Sequence, residues 1–179
     1  MGKKLLNLLA TVWAEQIFVL GKFHADPHPG NLCLDQRSGT VGLLDWGQVK
    51  ELPLHVVRAF AEMILAVDSG DQDRIVRAFS ELGIVVQHAE DKHSVEGLAL
   101  TMFDTKSHRR FHCDPFHRNK LSPLHANRVV SMPRDVFFLL RTVQMIRGLA
   151  NGFGITDFSL AKKWRPYAKT ASGKPFGFF

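Results

Sequence analysis

Two carboxylates and one carboxamide stand at spacings that suit phosphate chemistry. Residues 23–31 read FHADPHPGN, which sets Asp26 five residues ahead of Asn31; residues 43–48 read LLDWGQ, which sets Asp45 directly before Trp46 and Gly47. Between them, LCLD (32–35), QRSG (36–39) and VGLLD (41–45) have the pattern of a short β-hairpin. Transfer of a phosphoryl group from ATP asks little covalent chemistry of a protein. It needs a carboxylate at the accepting hydroxyl and oxygen ligands that hold Mg²⁺ across the phosphates. A hairpin would bring the loop before its first strand beside the turn after its second. Asp26 is then expected to orient the acceptor as the catalytic residue, Asn31 to offer its side-chain carbonyl to Mg²⁺, and Asp45 to bridge the metal to the β- and γ-phosphates. Gly47 is expected to let the backbone turn away sharply after Asp45. His28, Pro29 and Gly30 are expected to shape the loop so that Asp26 and Asn31 face the same way. His28 and Gly47 count as candidate ATP-contacting positions.

The loop has an echo. Residues 111–119 read FHCDPFHRN, with Phe, His, Asp, Pro and Asn at the same offsets. The stretch after Asn119, KLSPLHANRVVSMPRD, offers neither a turn between strands nor an apolar-Asp-x-Gly ending, so Asp114 gains no second carboxylate and one site is expected, not two. Asp26, Asn31 and Asp45 taken singly would read as turn residues; the argument rests on the three together with the hairpin between. His24, Asp26 and His28 make an H-x-D-x-H spacing that could hold a transition metal, but no further His/Cys pair at ligand spacing completes the set. His24 is therefore expected to pack and hydrogen-bond.

The elements that must position these groups are mostly helices. Leu5, Leu8, Leu9, Val12, Trp13 and Ile17 recur near helical spacing, with Gly21 as the stop. Asn7, Glu15 and Gln16 interrupt this stretch and no A-x-A cleavage signal comes after it, which argues for an amphipathic core helix and against a targeting segment. Pro53 suits the start of a helix to about Val67. Asp71 can cap another to Leu82, and a weaker one covers about 90–103. Residues 104–132, broken by Pro115 and Pro123, read as a long polar loop. A helix from Pro133 to about Asn151 carries Val136, Phe137, Leu140, Val143, Ile146 and Leu149 as its apolar stripe; Asp157 starts a last helix, and the tail SGKPFGFF is expected to fray. The fold class is mainly α with a small β-hairpin.

The totals agree with one domain. The chain has 179 residues, 45% hydrophobic and 22% charged, enough for a sizeable core and inconsistent with general disorder. Two cysteines, Cys33 and Cys113, exclude a disulfide scaffold. A net charge of +6 suits an anionic partner such as a nucleotide or a membrane surface, although the basic residues are dispersed. No RNA-binding or zinc-finger pattern is present, and no nucleic-acid partner is expected.

His24-Ala25-Asp26 with Asn31 resembles the protein-kinase pattern H-R-D-x-x-x-x-N, and Asp45-Trp46-Gly47 resembles D-F-G. More narrowly, FHADPHPGN followed by LLDWGQ is similar to the UbiB/ADCK (aarF-domain-containing) atypical kinases, as is the later MPRDVFFLLRTVQMIRGLANGFG with Arg141 and Gly148. The resemblance spans roughly residues 1–170 and implies the large, C-terminal lobe of a protein-kinase-like fold: catalytic loop 23–31, metal motif 45–47, a helical remainder, and a tail at 171–179. It implies ATP and Mg²⁺ as cofactors, Asp26 as the catalytic-loop Asp, and Asn31 and Asp45 as Mg²⁺ ligands. It also implies ATPase or unorthodox kinase behaviour in support of coenzyme Q or other prenyl-quinone synthesis, in mitochondria or plastids. A membrane surface or lipid- and quinone-pathway proteins would be further partners. Trp46 stands where Phe is usual. Arg141 reads either as an exposed arginine or as half of a buried ion pair.

A kinase-like enzyme also needs a nucleotide-covering loop, a strand Lys on the phosphates and a Glu that holds it. The sequence has no Gly- or Ala-rich loop before a strand and no V-A-I-K-like stretch, and the family's N-terminal K-x-G-Q extension is missing too. A fragment, a truncated gene model or a degenerate paralogue with weak Mg-ATP binding and little or no turnover is therefore expected. Two other readings stay open. One is a small-molecule phosphotransferase of the aminoglycoside or choline kinase type, whose loop can read HGDxHxxN. The other is a non-catalytic interaction module.

Overall fold

A computed structural model describes residues 2–35, 37–106 and 127–173. The echo at 111–119, most of the polar loop and the tail from 174 lie outside the described residues. Over the described residues the architecture is mainly helical, with three short antiparallel ribbons.

Helix α1 (Gly2–Ala14) buries Leu6, Leu9, Ala10, Trp13 and Ala14. Two overlapping leucine registers compete in this sequence, and packing selects the one that contains Leu6; Leu8 is left partly exposed. The next six residues, Glu15–Leu20, wind as a π-helix. The wider i→i+5 turn shifts the inward face, so the neighbours Ile17 and Phe18 are both buried. Gly21 ends the element at φ 64°, a left-handed conformation that costs glycine nothing.

Next in the chain come helices α2 (Leu54–Ser69), α3 (Gln72–Glu81), α4 (Lys92–Phe103), α5 (Arg134–Gly152) and α6 (Leu160–Ser172). Side chains cap three of them: Asp71 accepts from the Arg74 N–H, Asp91 from Ser94 and Ser159 from Lys162, satisfying backbone donors that a helix start leaves without partners. Asp71 thus takes the role its position suggests. The start of α6 differs from the expected Asp157: Ser159 caps it, and Asp157 forms an exposed ion pair with Lys3 instead. On α5 the buried stripe is Val136, Leu139, Val143, Ile146 and Ala150; Phe137, expected to be apolar core, is half exposed.

The core closes around an aromatic group at the crossing of α1, α2 and α6. Phe60 stacks on Phe18 with ring centroids 5.6 Å apart and meets Trp164 and Phe103 edge-on, each at 5.9 Å. Offset and edge-on pairs of this kind add to plain burial. The buried Trp164 indole N–H donates to the Ala10 carbonyl at 2.8 Å, which locks α6 to α1 at one register.

The expected hairpin is present: β2 (Leu32–Leu34) pairs with β3 (Val41–Leu43), Leu32 opposite Leu43. A second ribbon encloses it in sequence. Strand β1 (Lys22–His24) pairs with β4 (Val49–Glu51), Phe23 opposite Lys50 and His24 opposite Val49. A third joins β5 (Val85–Val86) to β6 (Val129–Ser131). By sequence, 22–24 and 129–131 read as loop, and the structure corrects both. Strands of two or three residues with distant partners are too short to show a period of two.

Among the described residues no helix is long and apolar enough to cross a membrane. Trp164→Ala is expected to lower the unfolding free energy by about 3–5 kcal/mol, measured by urea denaturation, because it empties the aromatic core and removes the indole hydrogen bond to Ala10.

Candidate active site

The nested ribbons bring the loop and the Asp45–Gly47 turn together, and a buried histidine joins them. His24 ends β1. Its backbone N–H donates to the Gln16 side-chain carbonyl and its own carbonyl accepts from the Trp13 indole N–H, both at 2.8 Å. Its ring Nδ1 accepts from the Asp26 N–H at 3.2 Å, which assigns the proton of a neutral imidazole to Nε2. Nε2–H then donates to the carbonyls of Leu44 and Asp45, each at 3.1 Å. Trp46 lies edge-to-face against the same ring, with centroids 5.2 Å apart. Both ring nitrogens are thus in use. Among the described residues no group of three His, Cys, Asp or Glu side chains is placed to hold a metal ion. The packing and hydrogen-bonding role expected of His24 is the one found.

Asp26 follows the buried Ala25, whose N–H donates to the Gln48 carbonyl at 2.8 Å. The Asp26 carboxylate is held from two sides. Oδ1 accepts from Arg141 Nη2 at 2.7 Å, and Oδ2 lies 3.4 Å from Asn31 Nδ2. The Asn31 amide nitrogen also donates to the Asp26 backbone carbonyl at 3.2 Å. That amide orientation turns the Asn31 side-chain oxygen, the atom a hard cation takes, away from Asp26. The Leu44 N–H donates to the Asn31 carbonyl at 2.8 Å, extending the β2–β3 ladder by one pair. Asp45 is the next residue.

Asp45 itself is exposed and sits at φ 53°, ψ 75°. It is the one non-glycine residue with positive φ among the described residues, a conformation that costs an L-residue on the order of 1–2 kcal/mol. The sharp turn expected at Gly47 therefore falls on Asp45. Gly47 serves differently: its N–H donates to Asp45 Oδ1 at 3.2 Å, and a Cβ built there would stand 3.1 Å from that oxygen. Glycine keeps space for the carboxylate.

His28 is exposed. Its Nδ1 accepts from the Gly30 N–H at 3.0 Å, and its carbonyl accepts from the Asn31 N–H at 2.8 Å, so its ring shapes the Pro29–Asn31 turn. His28 and Pro29 also border a groove of about 460 Å³ that runs along α5 past Met145, Leu149 and Phe153.

Several contributors are not legible in the sequence. Arg141, open there between exposed and ion-paired, is half-buried and paired with Asp26. Gln48 reads in the sequence as the last residue of the LLDWGQ motif with no role assigned, yet its side-chain carbonyl accepts from Arg141 Nη1 at 3.3 Å. Gln16 reads as an interruption of an apolar helix. A polar residue where the helix face turns inward is the available signal, and its buried partner, the His24 N–H, is invisible without the fold.

Replacing His24 by Phe is expected to lower stability by about 1–3 kcal/mol, the cost of stranding buried hydrogen-bonding groups. Thermal unfolding checks the loss, and amide exchange should quicken at Asp26 first.

Residues 1–79 match the family model of the ABC1 atypical kinase-like domain. Individual relatives agree. A probable serine/threonine-protein kinase, abkB, of Dictyostelium discoideum is 27% identical over 162 residues, covering 87% of this chain and 23% of the relative. The AarF domain-containing protein kinase 1 of Xenopus laevis is 25% identical over 173 residues, 88% of this chain and 32% of the relative. The chloroplastic ACTIVITY OF BC1 COMPLEX KINASE 8 of Arabidopsis thaliana is 31% identical over 85 residues, 47% of this chain and 11% of the relative. The chain spans less than a third of each of these relatives' own length. Residues 1–79, which carry the loop, the hairpin and the Asp45 turn, are thus similar to the ABC1 atypical kinase-like domain.

Proposed function

We propose that residues 23–48 form the phosphate-handling part of an atypical kinase or ATPase site that takes Mg-ATP, set in what corresponds to the large lobe of a kinase-like fold, residues 1–170. In this reading Asp26 orients the accepting hydroxyl or water, Asn31 and Asp45 are the magnesium ligands, and His28 and Gly47 border the nucleotide. The observation that carries it is the Asn31 amide. Its nitrogen is committed to Asp26, so its oxygen is the end available to a cation, one ladder position from Asp45. The donor set fits a hard divalent ion, with a carboxamide oxygen and a carboxylate and no soft ligand. Bound there, Mg²⁺ would offset charge on the phosphate oxygens.

The protein's own groups do the rest. Arg141 and the Asn31 amide hold the Asp26 carboxylate in one orientation, a role that suits a reaction relying on positioning more than on strong base catalysis. The Gly47 N–H keeps the Asp45 carboxylate turned toward its own backbone. A role beside prenyl-quinone synthesis, at a membrane surface in mitochondria or plastids, completes the proposal. Family resemblance supports it, as does the chloroplastic designation of one relative.

Isothermal calorimetry tests the site. The chain is expected to bind ATP weakly and only with magnesium, with EDTA abolishing the signal. Asp45→Asn is expected to weaken that binding at least about tenfold, or roughly 1.4 kcal/mol. Affinity unchanged by Asp45→Asn and by EDTA would refute the metal assignment, and low-micromolar binding would refute the expectation of weakness.

A further inference from the structure

We propose that Arg141 and Gln48 are positioning residues for Asp26, forming with it a closed clamp that fixes the direction of its carboxylate. The inference rests on the phosphoryl-transfer reading of the site and deepens it, adding Gln48 and the backbone link through Ala25 that close the contact between Arg141 and Asp26.

The clamp is a ring of hydrogen bonds closed by the chain itself. Arg141 Nη2 donates to Asp26 Oδ1, and Arg141 Nη1 donates to the Gln48 side-chain carbonyl. The Gln48 backbone carbonyl accepts from the N–H of Ala25, which is bonded covalently to Asp26. The guanidinium therefore touches both arms of the site at once: the loop that carries Asp26 and the segment just past Asp45. Its fork of N–H donors spans the two acceptors in fixed directions, which a lysine ammonium on a flexible stem does not reproduce.

The helix beneath is rigid where the clamp needs it. Thr142 and Val143 beside Arg141 are buried, as are Leu139 and Ile146 on the same face. One turn earlier, Phe138 lies under the Lys50 ammonium, 4.4 Å from ring centroid to nitrogen, and Lys50 pairs with Phe23 in the β1–β4 ribbon. Helix α5 thus grips the ribbon at Lys50 and the carboxylate at Asp26. An ordinary surface ion pair would contribute little and could rotate freely. This one has 36% and 19% of its two side chains exposed, and Gln48 orients the cation. With Oδ1 taken by Arg141 and Oδ2 leaning toward Asn31, the direction left open on Asp26 is set in advance for an acceptor hydroxyl to donate into.

The test uses the full chain with Mg-ATP and two readouts. In steady-state phosphate release, Arg141→Gln is expected to lower kcat at least about tenfold while KM for Mg-ATP stays within about twofold, since the clamp touches the acceptor side. Arg141→Lys should recover part of the loss. Gln48→Ala should lose less, and the double variant should be no worse than Arg141→Gln alone, because both act on one contact chain. An unchanged kcat, a KM that rises in step, or additive losses would overturn the proposal.

The second readout needs no turnover. In ¹⁵N spectra the Arg141 guanidinium is expected to show resolved, slowly exchanging Nη signals that collapse in Asp26→Asn. Averaged signals in the unaltered protein would overturn the clamp. Absence of any turnover would leave the phosphoryl-transfer reading to the calorimetric test, and the guanidinium spectrum would then decide the clamp by itself.

Discussion

Everything at the site depends on one neutral imidazole. His24 accepts a backbone N–H from Asp26 on one ring nitrogen and gives its single proton to two carbonyls, those of Leu44 and Asp45, on the other. Only one tautomer satisfies both ends, and a side chain without two oppositely directed nitrogen functions could not make the link. Because the ring is buried, each bond lost would leave a desolvated polar group unmatched. The loop and the turn are therefore held at a set separation by a ring whose two nitrogens are both committed to the backbone.

The ribbons explain why that link is reachable. Strand β4 returns beside β1, so the hairpin β2–β3 projects from a base closed by the His24–Val49 pair and the Ala25-to-Gln48 bond. Short ribbons like these have little stability alone. They persist because Phe23 and Ala25 are buried in the helical core and because α5 contacts them through Phe138 and Arg141. The helices supply the free energy and the ribbons supply the geometry. Strain follows the same division: the left-handed Asp45 is exposed at the tip, where the Gly47 N–H partners its carboxylate, while no buried non-glycine residue among those described has a positive φ.

The three-residue strands β1 and β4 show what local pattern cannot reveal. Lys22-Phe23-His24 carries no alternation long enough to detect, and its partner strand lies on the far side of the β2–β3 hairpin. The rotation of the α1 face has a similar origin. Leu5, Leu8 and Val12 make as good a helical stripe as Leu6, Leu9 and Trp13, and tertiary contacts such as Trp164 to Ala10 and Trp13 to His24 distinguish the two. Phe137 and Phe138 present the same ambiguity on α5, where the buried stripe passes through Leu139.

By itself the sequence determined which atoms are available and how far apart along the chain they lie: Asp26 and Asn31 five apart on a Pro/Gly-stiffened loop, a turn-forming QRSG, and Asp45 ahead of a glycine. Those are local matters, governed by steric preferences over a few residues. Helix existence and the residues Gly21 and Asp71 that end or cap helices were legible for the same reason. Tertiary structure alone decided that His24 turns its ring between two segments, that Gln16 and Trp13 hold its backbone, that the tight turn falls on Asp45 instead of Gly47, and that Arg141, 115 positions after Asp26, closes on its carboxylate. These outcomes depend on which surfaces bury each other, and a contact between residues so distant leaves no period in the chain to read.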